Sequence, residues 1–241
     1  MKAIMEKLFI EAGKNTADFS EAAKSAGRRI IRATDAENAG ENTVVWHKNS
    51  PISAKTFLVK AESAGKIAEA LLYFDEEAAA KSAKGLSVAE CAKALDAECA
   101  GFQFLALELL ARFKKQNRTG GDRPKIIFLV RKNYSLVSLL REGMDLKLGS
   151  PPHVSAAAAS FMAFAENMAA MHSASDFVDF ILIHADCAAE EFKSDAELSK
   201  WLFQYMDEFA SRGRQKNAPV QWIKPGAHAF RSGRAFSLFG R

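Results

Sequence analysis

Proton transfer near neutral pH needs a tuned phenol, an imidazole or a perturbed amine or carboxyl, and this chain holds few such groups in telling positions. Tyr134 stands in a loop just past an apolar run, with Lys132 two residues before it and Ser135 beside it. That setting makes it a candidate acid, although a tyrosine at a loop edge also serves as a half-buried packing residue with its hydroxyl in water. His153 leads an alanine-rich stretch and could move a proton near neutral pH; a surface position ahead of a helix is the plainer expectation. His184 and Asp186 follow the apolar run ending at Ile183, at the carboxyl end of an expected strand, where open α/β sheets place ligands. The histidines at 47, 153, 172, 184 and 228 show no i, i+4 pairing with one another or with nearby carboxylates, so no metal site is expected. Cys91, Cys99 and Cys187 form no CxxC and read as buried or half-buried free thiols.

The elements that must position these groups alternate. The runs 8–12, 28–33, 43–47, 67–74, 125–130, 177–186 and 219–224 read as strands, separated by helical stretches at 18–26, after Pro51, 87–116, 154–172 and 195–212. Ser87 with Glu90 forms a capping box that opens the longest of these helices. Its second half, with Phe102, Phe104, Leu105, Leu107, Leu109, Leu110 and Phe113, keeps little polar face, which suits a helix buried by a sheet on one side and a partner on the other. The stretch 131–152 has no strong period and reads as a loop or short helical insert. Strands alternating with helices imply an α/β fold with a doubly wound parallel sheet, a Rossmann-like three-layer sandwich. The 241 residues are 49% hydrophobic and are expected to form one such domain over 1–241, with a basic tail at about 225–241.

Four stretches carry a family likeness. They are 98–113 (Glu98 to Phe113), 125–130 (Lys125 to Val130), 154–170 (Val154 to Ala170), and the pair 180–186 with 220–227. Their order and apolar pattern resemble those of the short-chain dehydrogenase/reductase family, from about residue 85 to 230. That family carries an Asn in its long helix, a Ser at the end of its central strand, and a Tyr with a Lys four residues later in the following helix. The resemblance lays these roles on Glu98, on Val130 or Arg131, on Val154 and on Ala158, so all four stand vacant and a degenerate member, a pseudoenzyme, is implied. The family's glycine-rich turn after the first strand is reduced here to Gly13, and its Asn-Asn-Ala-Gly falls on Tyr73, Phe74, Asp75 and Glu76, which bring bulk and negative charge toward the adenosine. No NAD(P) cofactor is therefore expected; Gly13, His184 and Asp186 are the weak candidates for holding one.

The function expected is that of a catalytically inactive member of this fold group, acting through dimerisation or partner binding. The alternative is an NAD(P)-dependent oxidoreductase with displaced residues such as Tyr134, His153 or Lys132. The family's dimer uses the two helices at 87–116 and 154–172, so a homodimer or higher oligomer is implied through them. Net charge is +4, too mild to mark nucleic acid as a partner. Yet no acidic residue follows Glu208, while Arg212, Arg214, Lys216, Lys224, Arg231, Arg234 and Arg241 do, a tail that suits a protein partner or solvent. No run approaches the roughly 20 apolar residues of a membrane span, and no signal-peptide pattern opens the chain, so a cytoplasmic protein is expected.

Overall fold

The computed structural model describes residues 7–13, 17–37, 40–116, 123–186, 194–212 and 220–226. Six strands, β1 (Lys7–Ala12), β2 (Arg28–Thr34), β3 (Thr43–Val45), β4 (Ile67–Asp75), β5 (Lys125–Lys132) and β6 (Asp179–Asp186), form one sheet in the order β3-β2-β1-β4-β5-β6. Every pairing is parallel. β1, β4 and β5 are buried along nearly their whole length, as strands covered on both faces must be.

Alternation of side chains along each strand divides the core in two. Ile10, Leu72, Phe74, Phe128 and Leu182 face α2 (Pro51–Glu62), α5 (Gly101–Lys115) and α7 (Pro152–Met171). Phe9, Leu71, Tyr73, Ile127 and Ile183 face α1 (Ala17–Ser25) and α8 (Asp195–Arg212). The doubly wound parallel sheet anticipated from the strand and helix alternation is therefore the architecture, and the order of elements reverses between β1 and β4, where such folds open their ligand crevice.

Several boundaries differ from the sequence expectation. The helix at 87–116 is broken into α4 (Val88–Ala94), a π-helical turn (Leu95–Ala100) and α5. A Cβ on Gly101 would lie 2.6 Å from the Lys48 carbonyl oxygen, so the helix presses on the segment before α2. The wider turn resets the helical phase there, leaving Glu98 against Lys48 while Cys99 and Phe102 enter the core. α4 buries none of its residues. β3 ends at Val45: the Trp46 N–H still donates to the Thr34 carbonyl of β2, and the His47 N–H then turns to Ser53 Oγ at the start of α2. The strand expected at 219–224 is, among the described residues, one parallel bridge between Ile223 and Ile183. Ile223 donates to the Leu182 carbonyl and accepts from His184, and the next rung fails because Pro225 has no N–H to give. The stretch after β5 holds a short helix, α6 (Leu136–Glu142), and a 3-10 turn (Leu146–Leu148). α3 (Glu76–Ser82) follows β4 directly, capped by the Asp75 side chain.

No helix among the described residues is long and apolar enough to cross a membrane. Most of the basic tail, including Arg214, Lys216, Arg231, Arg234 and Arg241, lies outside the described residues, as does Cys187. Of the other thiols Cys99 is buried and Cys91 half-buried.

Candidate functional site at the carboxyl edge of the sheet

The carboxyl ends of β4 and β5 carry two ion-paired clusters, one on each face of the sheet. On the face toward α7, Glu76 has 1% of its side chain exposed, and its carboxylate takes the Lys132 ammonium at 2.6 Å. It also accepts from the Asn133 N–H at 3.2 Å and from the Ser155 hydroxyl at 3.0 Å. A buried carboxylate with three donors, one of them charged, is satisfied. The charge expected to repel a nucleotide at Glu76 is thus turned inward and neutralised. Asp75 is likewise committed, accepting from the Ala78 N–H.

On the opposite face the Arg131 guanidinium donates to Asp195 at 3.0 Å, with side chains 6% and 10% exposed. Tyr73, 1% exposed, donates its phenol to the same carboxylate at 3.4 Å. Burial holds the Tyr73 phenol well above its ordinary value, and the nearby Asp75 and Asp195 charges add to that while Arg131 opposes it. Such a phenol stays protonated and is a poor base. Burial works against the Arg131 charge, but Tyr73, Asp195 and Asp75 more than offset it.

The positions that the family likeness marks as vacant are filled by packing and pairing. Val154 is 4% exposed and Ala158 is wholly buried, both in the core. Glu98 accepts from Lys48 at 3.1 Å, and Arg131 is the partner of Asp195. His153 is not the surface residue expected: α7 begins at Pro152, which puts His153 one turn before the buried Ala157, and it is 8% exposed with no hydrogen bond to Nδ1. Tyr134 is half-buried, its carbonyl accepting from the Ser150 N–H, and the structure shows no contact joining it to His153. His184 pairs with Val130 and shares its face with Lys132, two positions further along the neighbouring strand. Burial, and then the Lys224 charge, lower its pKa, with Asp186 opposing. Its Nδ1 has no hydrogen-bond partner, and Asp186 is exposed.

Gly13 holds its place for a reason unrelated to phosphate. It has φ +144°, and a Cβ there would come within 2.0 Å of the Tyr73 carbonyl oxygen, so only glycine lets the turn after β1 cross β4. One further residue escaped the sequence reading. Asp35 follows the end of β2, 22 positions after Gly13 (35 minus 13), where dinucleotide folds place the acid that holds a ribose. The spacing itself was the signal. At the nicotinamide end the residues present do not fit: the family's tyrosine and lysine positions are buried Val154 and Ala158, and Glu76 with Lys132 occupies the edge between β4 and α7. Among the described residues no group of three or more His, Cys, Asp or Glu could hold a metal.

No family model matches this chain, and no curated protein matches it by sequence. Solved structures do resemble it. A 3-ketoacyl-(acyl-carrier-protein) reductase from Brucella melitensis, complexed with NADH, superposes with a TM-score of 0.62 at 10% identity, covering 91% of this chain and 97% of that one. A short chain dehydrogenase from Mycobacterium smegmatis gives 0.61 at 14% identity, with 92% of each chain covered. An NADH-dependent reductase complexed with NAD gives 0.61 at 13% identity, covering 91% of this chain and 94% of that one. At such identities the likeness establishes architecture: the chain has the Rossmann-like three-layer fold that short-chain dehydrogenases and reductases share.

Proposed function

We propose that this chain is a cytoplasmic, catalytically inactive relative of the short-chain dehydrogenases, acting through dimerisation or partner binding. The observation that carries this reading is the Glu76–Lys132–Ser155 cluster. Reduction of a carbonyl on this fold needs an acid beside the substrate oxygen and an open edge for the nicotinamide. Here that edge is spent on an internal ion pair, and the two helical positions that would supply phenol and ammonium are apolar and buried. The outward face of α7 supports the binding half of the reading. Ala156, Ala159, Ala163 and Ala170 are exposed on it together with Glu166 and Asn167, and Met171 is 74% exposed beyond them. Small uncharged residues along a helix allow another helix to approach closely.

A second reading, an NAD(P)-dependent oxidoreductase with relocated groups, is favoured by the position of Asp35 after β2 and by the nucleotides bound in two of the structural neighbours. Calorimetric titration with the four nicotinamide nucleotides separates the two. No binding tighter than the millimolar range is expected; a Kd below about 0.1 mM, more than about 5.5 kcal/mol of binding free energy, would move the assignment to the oxidoreductase.

A further inference from the structure

Residues 220–226 lie beside β6 and hold to it through one rung. Ile223 donates to the Leu182 carbonyl at 2.8 Å and accepts from the His184 N–H at 2.9 Å. The bridge is parallel and sets Ile223 beside Ile183, so residues in register share a face: Trp222 falls beside Leu182 and Lys224 beside His184, both on the side of α7. Trp222 agrees with this placement, since its indole N–H donates to Glu166 of α7 at 2.5 Å and its ring packs on the core beneath that helix. Each such bond adds little net stability, so one new charge at the rung weighs heavily on whether it stays closed.

His184 is the group at this rung that can change charge near neutral pH. Its side chain is half-buried, and its Nδ1 is buried with no hydrogen-bond partner. Lys224 stands on its outer side; on its inner side is Lys132 of β5, whose ammonium is paired with Glu76. Asp186, exposed two residues on, is the opposing charge on the same strand. α7 carries two titratable groups, Glu166, bonded to Trp222, and His153 in its first turn.

We propose that His184 is a proton-operated clasp: neutral, it lets residues 220–226 lie against β6; protonated, it repels Lys224 and releases them. Burial, and then the Lys224 charge, hold the docked imidazole below its ordinary pKa, with Lys132 adding to this and Asp186 opposing it. On release the imidazole regains water and leaves Lys224 behind, so it takes a proton more readily than when docked. The docked arrangement is therefore fully favoured above the released value of about 6.5 and loses ground as the pH falls from there through the docked value. Release bares the Leu182 carbonyl and the His184 N–H on an edge strand, groups that another strand can pair with.

Amide hydrogen exchange on the full chain at pH values one unit above and one unit below that released value, corrected for the intrinsic pH dependence of exchange, tests this. Protection of the Ile223 and His184 amides should fall roughly threefold or more at the lower pH, as a local opening, while the amides of β4 and β5 keep theirs. His184→Gln, which cannot take the proton, should hold the segment equally well at both pH values. Lys224→Met keeps the imidazole and removes the charge it meets, so the acid loss should shrink; this second variant serves where the first does not fold. An equal loss in His184→Gln would overturn the proposal, since a carboxylate such as Asp186 or Glu166 would then be the titrating group. So would an Ile223 amide with the same protection at both pH values, or with none at either.

Discussion

Glu76 decides more about this molecule than any residue that the family likeness marks as vacant. Its carboxylate is buried and depends on Lys132, Asn133 and Ser155 for compensation, so the pair should behave as a unit. Lys132→Met leaves a buried charge with two neutral donors. It should cost about 3 kcal/mol, the low end for a broken buried pair, because the lysine is 27% exposed. Adding Glu76→Gln removes that charge and should recover more than half of the loss, measured by urea unfolding of the single and double variants. A double variant no better than the single would mean that the cluster does not compensate the carboxylate. These partners were illegible in the sequence because they are remote along the chain: Ser155 lies 79 residues from Glu76, Asp195 lies 64 from Arg131, and Glu98 lies 50 from Lys48. The residue types were readable and their pairings were not. His153 shows the complementary failure, since a two-residue shift in where α7 starts moves it from solvent to the core.

Among the elements, the strands were the most legible, because β1, β4 and β5 announce burial on both faces through unbroken apolar runs. The π turn was not. Leu95 to Ala100 continues the apolar period of an ordinary helix, and what widens it is the approach of Lys48, again set by tertiary structure. Gly101 sits at that contact, and its replacement should reverse the usual sign. In an unobstructed helix Gly→Ala gains about 1 kcal/mol. Here the added methyl would press on the Lys48 backbone and side chain at 2.6 and 2.7 Å, and overpacking of this kind costs roughly 1–3 kcal/mol. Gly101→Ala should therefore lower the midpoint of thermal unfolding, and a raised midpoint would show that the helix can shift away from the loop before α2. The last expected strand failed for a reason that the sequence did contain, since Pro225 denies the rung after Ile223 its donor.

For the molecule as a whole, the sheet order and the two-sided core leave α7 with an inner face packed on Phe74, Phe102 and Phe128 through Phe161 and an outer face, mostly alanine with Glu166 and Asn167 among them, turned to water. A domain that has satisfied its polar edge internally still presents this strip of small residues, with Glu166 and Asn167 as its exposed polar members, and the strip fits close helix–helix packing across a two-fold axis, where each copy offers the same residues. Ala163 is exposed near the middle of α7, so Ala163→Glu should be almost neutral for the isolated fold. In a dimer built on that face the substitution brings two carboxylates together without partners. Burial of such unpaired charge costs several kcal/mol, and each 1.4 kcal/mol is a factor of ten in the dissociation constant, so a weakening of about a hundredfold or more is expected. Light scattering across a dilution series should show a dimer for the unaltered chain and a monomer for the variant, with unchanged far-ultraviolet dichroism. A variant that stays dimeric would move the interface off α7, and an unaltered chain that is monomeric at every concentration would remove dimerisation between copies from the proposed function and leave only binding to a different partner.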